Sequence, residues 1–573
     1  STNETSEIYL QLNNGSDSNT STSKITVGKE ADHTTSANVD TYMAFSTVLN
    51  DSTNEAMRIT SAGNVTTTEN IIIPQDKYLY FEGDADDALN RVGRNSSENA
   101  ILITSRAHVG VIIDSNDDDT DSYFTVAHNG TTLGGTTDLF KVDANSRISL
   151  GNNDSGGDTT NTIFGYTSGN SIASGGIKNT LFGKSAGKSI STGDHNTNVG
   201  WEADYYNATG VNNTAIGSGA MMGSGTSNVH DNNTAVGYYA LKLITTGDNN
   251  VAVGSGALDA ITTGSNNVAV GSASLSTATT VGDSVFIGKS AGEDIQAGQA
   301  ITGVVAIGWE ALKGGGSTTT AADNAVAIGR ESLRSLTTGT YNTAIGYQSQ
   351  TANTDSDRNT SLGYQSLLTI AATDDNNTAI GYQALKMSTT GGNTAVGSSA
   401  LTLVDTGTQN TAVGYGAMTS SNSSQDASNN VAVGYLAING ITDGDNNVAI
   451  GSSALLLNST GSNNVAIGSG SADSLTTGYS NTFIGYSSAA TMTTGVSNVA
   501  IGFNAMNAVP ASQAVTGCVA IGRDALEGSG STTTGINYTV AIGYQALEAL
   551  TTGAANIAIG YTALAQHTTG GAN

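Results

Sequence analysis

The chain has 573 residues, of which 72 are glycine and 2 are proline; charged residues make up only 12% and the formal net charge is −28 at pH 7. That balance argues against nucleic acid as a partner, because phosphate binding needs clustered Lys and Arg, and against an anionic membrane surface. The single cysteine, Cys518, rules out an intrachain disulfide, and no apolar run is long enough for a membrane-spanning helix.

Residues 1–150 have no period. Short alternating runs predict strands at Ile8–Leu12, Tyr42–Val48, Ala56–Thr60, Tyr78–Phe81, Ala100–Thr104, Val109–Ile113, Tyr123–Ala127 and Leu139–Val142. Ala62-Gly63-Asn64 and Asn129-Gly130 are turn signals. The acidic run Asp114 to Asp121 begins like a calcium loop, but Asp119 stands where Gly is expected and Thr125 where a bidentate Glu is expected. A solvated hairpin tip is the simpler reading, and no metal site is assigned.

From residue 151 to 573 the chain is one array. Its signature is Asn-Thr/Val-Ala-Ile/Val-Gly, as in Asn377-Thr378-Ala379-Ile380-Gly381. Twenty-three such glycines recur, and thirteen of their twenty-two spacings are 17 residues. With each glycine as position zero, −1 is apolar in all 23 copies, −2 is Ala in 17, −4 is Asn in 18, and +3 is always Ala or Ser. A short fixed period means a solenoid. The expected coil has two short strands, Asn-Thr-Ala-Ile and the stretch from +2 to +6, with the −1 and +4 side chains as core and Asn as an axial ladder. Two large apolar side chains per coil bury little, so association of several rolls through the Ala/Ser columns is expected. Longer spacings recur in two blocks about 214 residues apart, as in Gln299–Gly308 and Gln513–Gly522.

Position +1 is Tyr in ten copies, and both tryptophans fall there. Trp201, Trp309, Tyr347, Tyr364 and Tyr382 are therefore the candidate receptor-binding residues, with glycan contact set against a purely structural ladder. The histidines at 33, 108, 128, 195, 230 and 567 are scattered, and each Gly ends a strand without opening a phosphate-binding helix. Neither a catalytic site nor a cofactor is expected. The carboxylates Glu310, Asp323, Glu331 and Asp524 are the only candidates for polysaccharide cleavage.

Two resemblances bear on function. Glu55–Val65, with Met57-Arg58-Ile59-Thr60, resembles a segment common in bacteriophage tail fibres, and Leu139–Ile148 is similar to strand pairs of the same proteins. The Asn-x-Ala-Ile-Gly array resembles the head repeats of trimeric autotransporter adhesins, which implies a homotrimeric, left-handed parallel β-roll. The family's signal, stalk and membrane anchor have no counterpart here. The expected fold class is all-β: a strand-rich fibre segment over 1–150, then a β-solenoid of about 23 coils. The expected function is that of a virion tail fibre, extracellular, not an enzyme and not inserted in a membrane. Its partners would be its own copies, other virion tail proteins, and a host surface glycan or lipopolysaccharide. A bacterial trimeric surface adhesin is the alternative, and a polysaccharide-degrading tailspike is a third reading. The chain starts without Met and stops within a repeat, so a longer gene product is expected.

Overall fold

The computed structural model describes eleven strand segments within residues 1–150 and residues 160–572 apart from eight short gaps. Every element among the described residues is a β-strand. The chain forms two compact units, Ser1–Ser122 and Tyr123–Asn573.

In the first unit Ser6–Gln11, Thr22–Lys29, Thr41–Leu49, Ser52–Ile59 and Val65–Thr67 form an antiparallel sheet in sequence order. The segment from Glu55 to Val65 supplies a hairpin, with Ile59 opposite Val65. Tyr78–Tyr80, Arg91–Asn95 and Ala100–Thr104 form a second antiparallel sheet. The strand expected at 109–113, the acidic run 114–121 and both turn signals lie outside the described residues. In the second unit, Thr137–Asp143 pairs antiparallel with Tyr123–His128 and with Ile148–Leu150, placing Val142 opposite Ile148.

From Thr162–Phe164 to Ile557–Ile559 the repeats build one parallel sheet of 23 strands, each three residues long. Register follows the repeat column for column: Val251, Ala252 and Val253 pair with Val268, Ala269 and Val270. The glycine that ends each strand is required by stacking. Gly254 has φ +137°, and a Cβ on it would lie 2.5 Å from the carbonyl oxygen of Gly271 one coil on. The −4 Asn column forms the expected ladder. Asn267 N–H donates to Asn250 Oδ1 at 3.0 Å, and Asn250 Nδ2 donates to Gly264 O at 2.9 Å. Each side chain thus meets backbone groups of the next coil that would otherwise be buried unpaired.

Three expectations need correction. First, −1 is not the core. A strand alternates sides, so −3 and −1 face outward while −2 faces the bore. Val253 is 37% exposed, whereas Ala252 is fully buried. The bore is filled by −2, +3, +4 and +7, as in Ala252, Ala257, Leu258 and Ile261. Second, the +3 Ala/Ser column lies inside the roll, so it cannot contact another copy. Third, +2 to +6 is not a second strand in most coils; among the described residues a second ladder forms only at +6 and +7 of two neighbouring coils, where Thr369–Ile370 pairs in parallel with Met387–Ser388. Alternate residues there take positive φ, as Tyr239 (54°) and Leu241 (55°) do. Their N–H groups bond in opposite directions: Tyr239 to Ser218 O in the coil before, and Leu241 to Ala257 O in the coil after. This arc turns the chain tightly while keeping its backbone paired.

The bore shows volume compensation within single coils. Where −2 is large, +4 is small: Leu181 with Gly187, Phe286 with Gly292, Phe483 with Ala489. A Cβ on Gly292 would meet the Phe286 ring at 2.5 Å. Interiors packed to crystal-like density require such matching.

Gly254→Ala is expected to destabilise by roughly 2–4 kcal/mol, from overpacking against backbone plus conformational strain. Gly256, with φ +64° and open space around its would-be Cβ, should cost only about 1–2 kcal/mol as Ala. Thermal or denaturant midpoints of the two variants check this; equal losses would count against the close approach of the coils.

Candidate functional site

Stacking places identical positions of successive coils one above another, so the +1 column becomes a ladder on the outside of the roll. In five consecutive coils it reads Trp309, Arg330, Tyr347, Tyr364, Tyr382. Tyr347 and Tyr364 stack with centroids 5.3 Å apart, and Tyr364 and Tyr382 at 5.2 Å with planes 8° apart. The Arg330 guanidinium lies 4.1 Å from the Trp309 ring centroid and 5.7 Å from that of Tyr347. It bridges the two rings as a planar cation.

Four of the five sequence-predicted residues therefore form one surface. Trp201 does not join them: its column neighbours are Lys184 and Ser218, and it stands alone as a 43% exposed ring. Arg330 also stands in this column and, not being aromatic, lies outside the ring pattern that marks the candidates. A second run, Tyr486, Phe503, Arg523, Tyr544 and Tyr561, repeats the arrangement. Tyr486 stacks on Phe503 at 5.2 Å, Tyr544 on Tyr561 at 5.3 Å, and Arg523 lies between Phe503 and Tyr544. Reading every residue at +1 finds both arginines.

An amide relay runs beside the first ladder at +2. Gln348 Nε2 donates to Glu331 Oε2 at 2.7 Å, Gln365 Nε2 to Gln348 Oε1 at 2.9 Å, and Gln383 Nε2 to Gln365 Oε1 at 3.0 Å. Glu331 also accepts from Arg330 Nε at 3.0 Å. The Gln348 hydrogen bond first, and then Arg330, hold the Glu331 carboxyl below its ordinary value. Arg523 likewise pairs with the acid that follows it, Asp524, at 3.3 Å.

Stacking limits what the rings can offer. Interior rings turn their faces to one another, so Tyr364 presents its edge and hydroxyl outward. The outer ring faces are free only at the ends of the run, where the +1 neighbours are Lys289 below Trp309 and Ser398 above Tyr382. The exposed chemistry is thus phenol hydroxyls, a half-exposed guanidinium and two terminal ring faces.

The candidate carboxylates are each engaged. Glu310 pairs with Lys313 at 3.5 Å and Arg334 at 2.8 Å, and Asp323 Oδ1 accepts the Thr302 N–H at 2.8 Å. No group of three or more His, Cys, Asp or Glu able to hold a metal occurs among the described residues. Cys518 is buried in the Asn column, its N–H donating to Asn498 Oδ1 at 2.9 Å, and burial pushes its thiol up to about 11.

No family profile matches the sequence. Comparison with curated proteins and with solved structures finds no match either.

Gln348→Ala removes the first support of the Glu331 carboxylate. Its titration, followed by carboxyl NMR, is expected to move upward toward the ordinary glutamate value. An unchanged titration would mean that the relay does not act on Glu331.

Proposed function

We propose that this chain is a structural fibre subunit that assembles as a homotrimer and adheres to a host surface glycan, most specifically as a bacteriophage tail fibre. The observation that carries the adhesive reading is the outward ladder Trp309–Arg330–Tyr347–Tyr364–Tyr382. It joins flat apolar rings to polar tips and a cation, which is the chemistry that holds sugars. The hairpins at 52–67 and 137–150 are consistent with the tail-fibre resemblance, since both resembling segments pair as adjacent antiparallel strands.

Homotrimer formation is supported by the outward face of the long sheet. Its −1 column is apolar in all 23 copies, and its −3 column is Val or Ile in twelve, as in Val268 and Val305, and Thr in the other eleven. Ile216 and Ile450 are each 40% exposed, and Leu362 is 45% exposed. A continuous apolar stripe of this kind marks an interaction surface, and packing copies of the stripe about one axis would cover it. The contact is thereby moved from the Ala/Ser columns to the −1 column. A bacterial trimeric surface adhesin, whose head repeats the array resembles, is the second reading; the tail-fibre resemblance of the N-terminal segments favours the first.

Light scattering of the purified chain is expected to give a trimer, and Ile307→Glu/Ile328→Glu to give a folded monomer. A monomeric wild-type chain would dispose of the homotrimer. Glycan-array binding is expected to fall by about 0.5–1.5 kcal/mol on replacing Trp309 or Tyr382 by Ala, and by less for Tyr364→Ala, whose ring faces are covered. Wild-type binding that survives removal of both end rings would place adhesion elsewhere. Size reduction of a host polysaccharide incubated with the protein would instead favour the tailspike reading.

A further inference from the structure

Four columns of the bore break together at one place. Position −2, normally Ala, is Asn198; +4, normally Leu, is Asp204; +7, normally apolar, is Asn207; and −7, Gly or apolar in most coils, is His230. All four are fully buried. The Asp204 carboxylate is oriented from one side only. Asn198 Nδ2 and Asn207 Nδ2 both donate to Oδ2, at 3.2 and 3.0 Å, and Asn207 is itself fixed by the Gly210 N–H on its Oδ1 at 2.8 Å. Oδ1 is thereby turned toward His230, with Nε2 at 3.5 Å. Asp204 Oδ1, Asn198 Oδ1 and both ring nitrogens of His230 make no hydrogen bond.

The fold can satisfy such a cluster unaided. Ser361, Gln350, Asn353 and Ser356 occupy the same four column positions further along the roll. There Gln350 Nε2 donates to Ser361 Oγ at 2.9 Å, Asn353 Nδ2 to Gln350 Oε1 at 3.0 Å, and Ser356 N–H to Asn353 Oδ1 at 3.0 Å. Among the described residues elsewhere in the array, unpartnered buried side-chain atoms occur one to a side chain: Asp374 Oδ2, Asn458 Oδ1, Thr533 Oγ1 and Thr539 Oγ1. Four unpartnered atoms on three neighbouring side chains are therefore specific to the Asp204 cluster.

We propose that the bore holds a divalent transition cation between His230 Nε2 and Asp204 Oδ1, with Asn198 Oδ1 as a third oxygen donor. A separation of 3.5 Å is long for a hydrogen bond. It fits two ligands of one tetrahedral ion, which lie about 3.4 Å apart for metal–ligand bonds of about 2.0–2.1 Å. One imidazole with oxygen donors suits Zn2+ or Co2+ better than Ca2+ or Mg2+. The two amides on Oδ2 are the outer contacts that orient a ligating carboxylate. The ion would act as a rivet near the start of the roll.

The test uses the full chain, stripped with a chelator, then titrated with Co2+ and Zn2+ and followed by visible d–d absorption, metal analysis and thermal midpoint. The expected result is one ion per chain and a raised midpoint. His230→Gln should lose the ion, and Asn207→Ala should weaken it about 10–100-fold. The variant Asn198→Ala/Asp204→Leu/Asn207→Ile/His230→Val restores the usual bore; it should fold, as judged by circular dichroism, and bind none. The proposal is overturned if the wild type takes up no more metal than this variant, or if His230→Gln binds as the wild type does.

Discussion

Backbone pairing along the axis governs this molecule. Around each coil, N–H groups bond to residues one repeat away, so coils stack at strand spacing, roughly 4.8 Å. At that distance nothing larger than hydrogen fits between successive strand-ending turns, and the glycine column follows. Side chains in one column are brought into contact whether inside or outside. Inside, this gives the Asn ladder, in which Asn250 both accepts from Asn267 and donates to Gly264. Outside, it gives ring stacks such as Tyr364 on Tyr382.

The same constraint explains the composition of the bore. A coil of about 17 residues encloses little volume, so a large residue at one position requires a small one opposite. Phe286 with Gly292 and Leu181 with Gly187 are instances. Polar side chains in the bore bond to one another, as Gln350, Asn353 and Ser361 do, or to backbone carbonyls, as Ser274 and Ser332 do with Phe286 O and Ala344 O. Residues left over from this packing, the apolar −1 column and the mixed Val/Thr −3 column, face outward and give the roll an apolar stripe.

Much of this was legible in the sequence. The period fixed the parallel solenoid, and the Asn column announced its ladder. What the columns did not reveal was which side each one faces. An invariant Ile/Val at −1 reads as core, yet a three-residue strand has one inward position, and Ala252, not Val253, occupies it. The inward role of +7, as in Ile261, was hidden because that position lies in what looked like loop. The arc through Tyr239 and Leu241 was unreadable as well, since Leu rarely takes positive φ and only axial pairing holds it there. The site was partly legible: the +1 aromatics were visible, but Arg330 and Arg523 complete the ladders as cations between rings.

The account stands on which face of the strand points outward. An electron cryomicroscopy reconstruction of the array at side-chain resolution would read this directly. The account predicts an axial rise near 4.8 Å per coil, Ala252 and Leu258 in the bore, and Val253 on the outer surface with the stacked rings beside it. Val253 and its column inside the bore, with Ala252 outside, would contradict it.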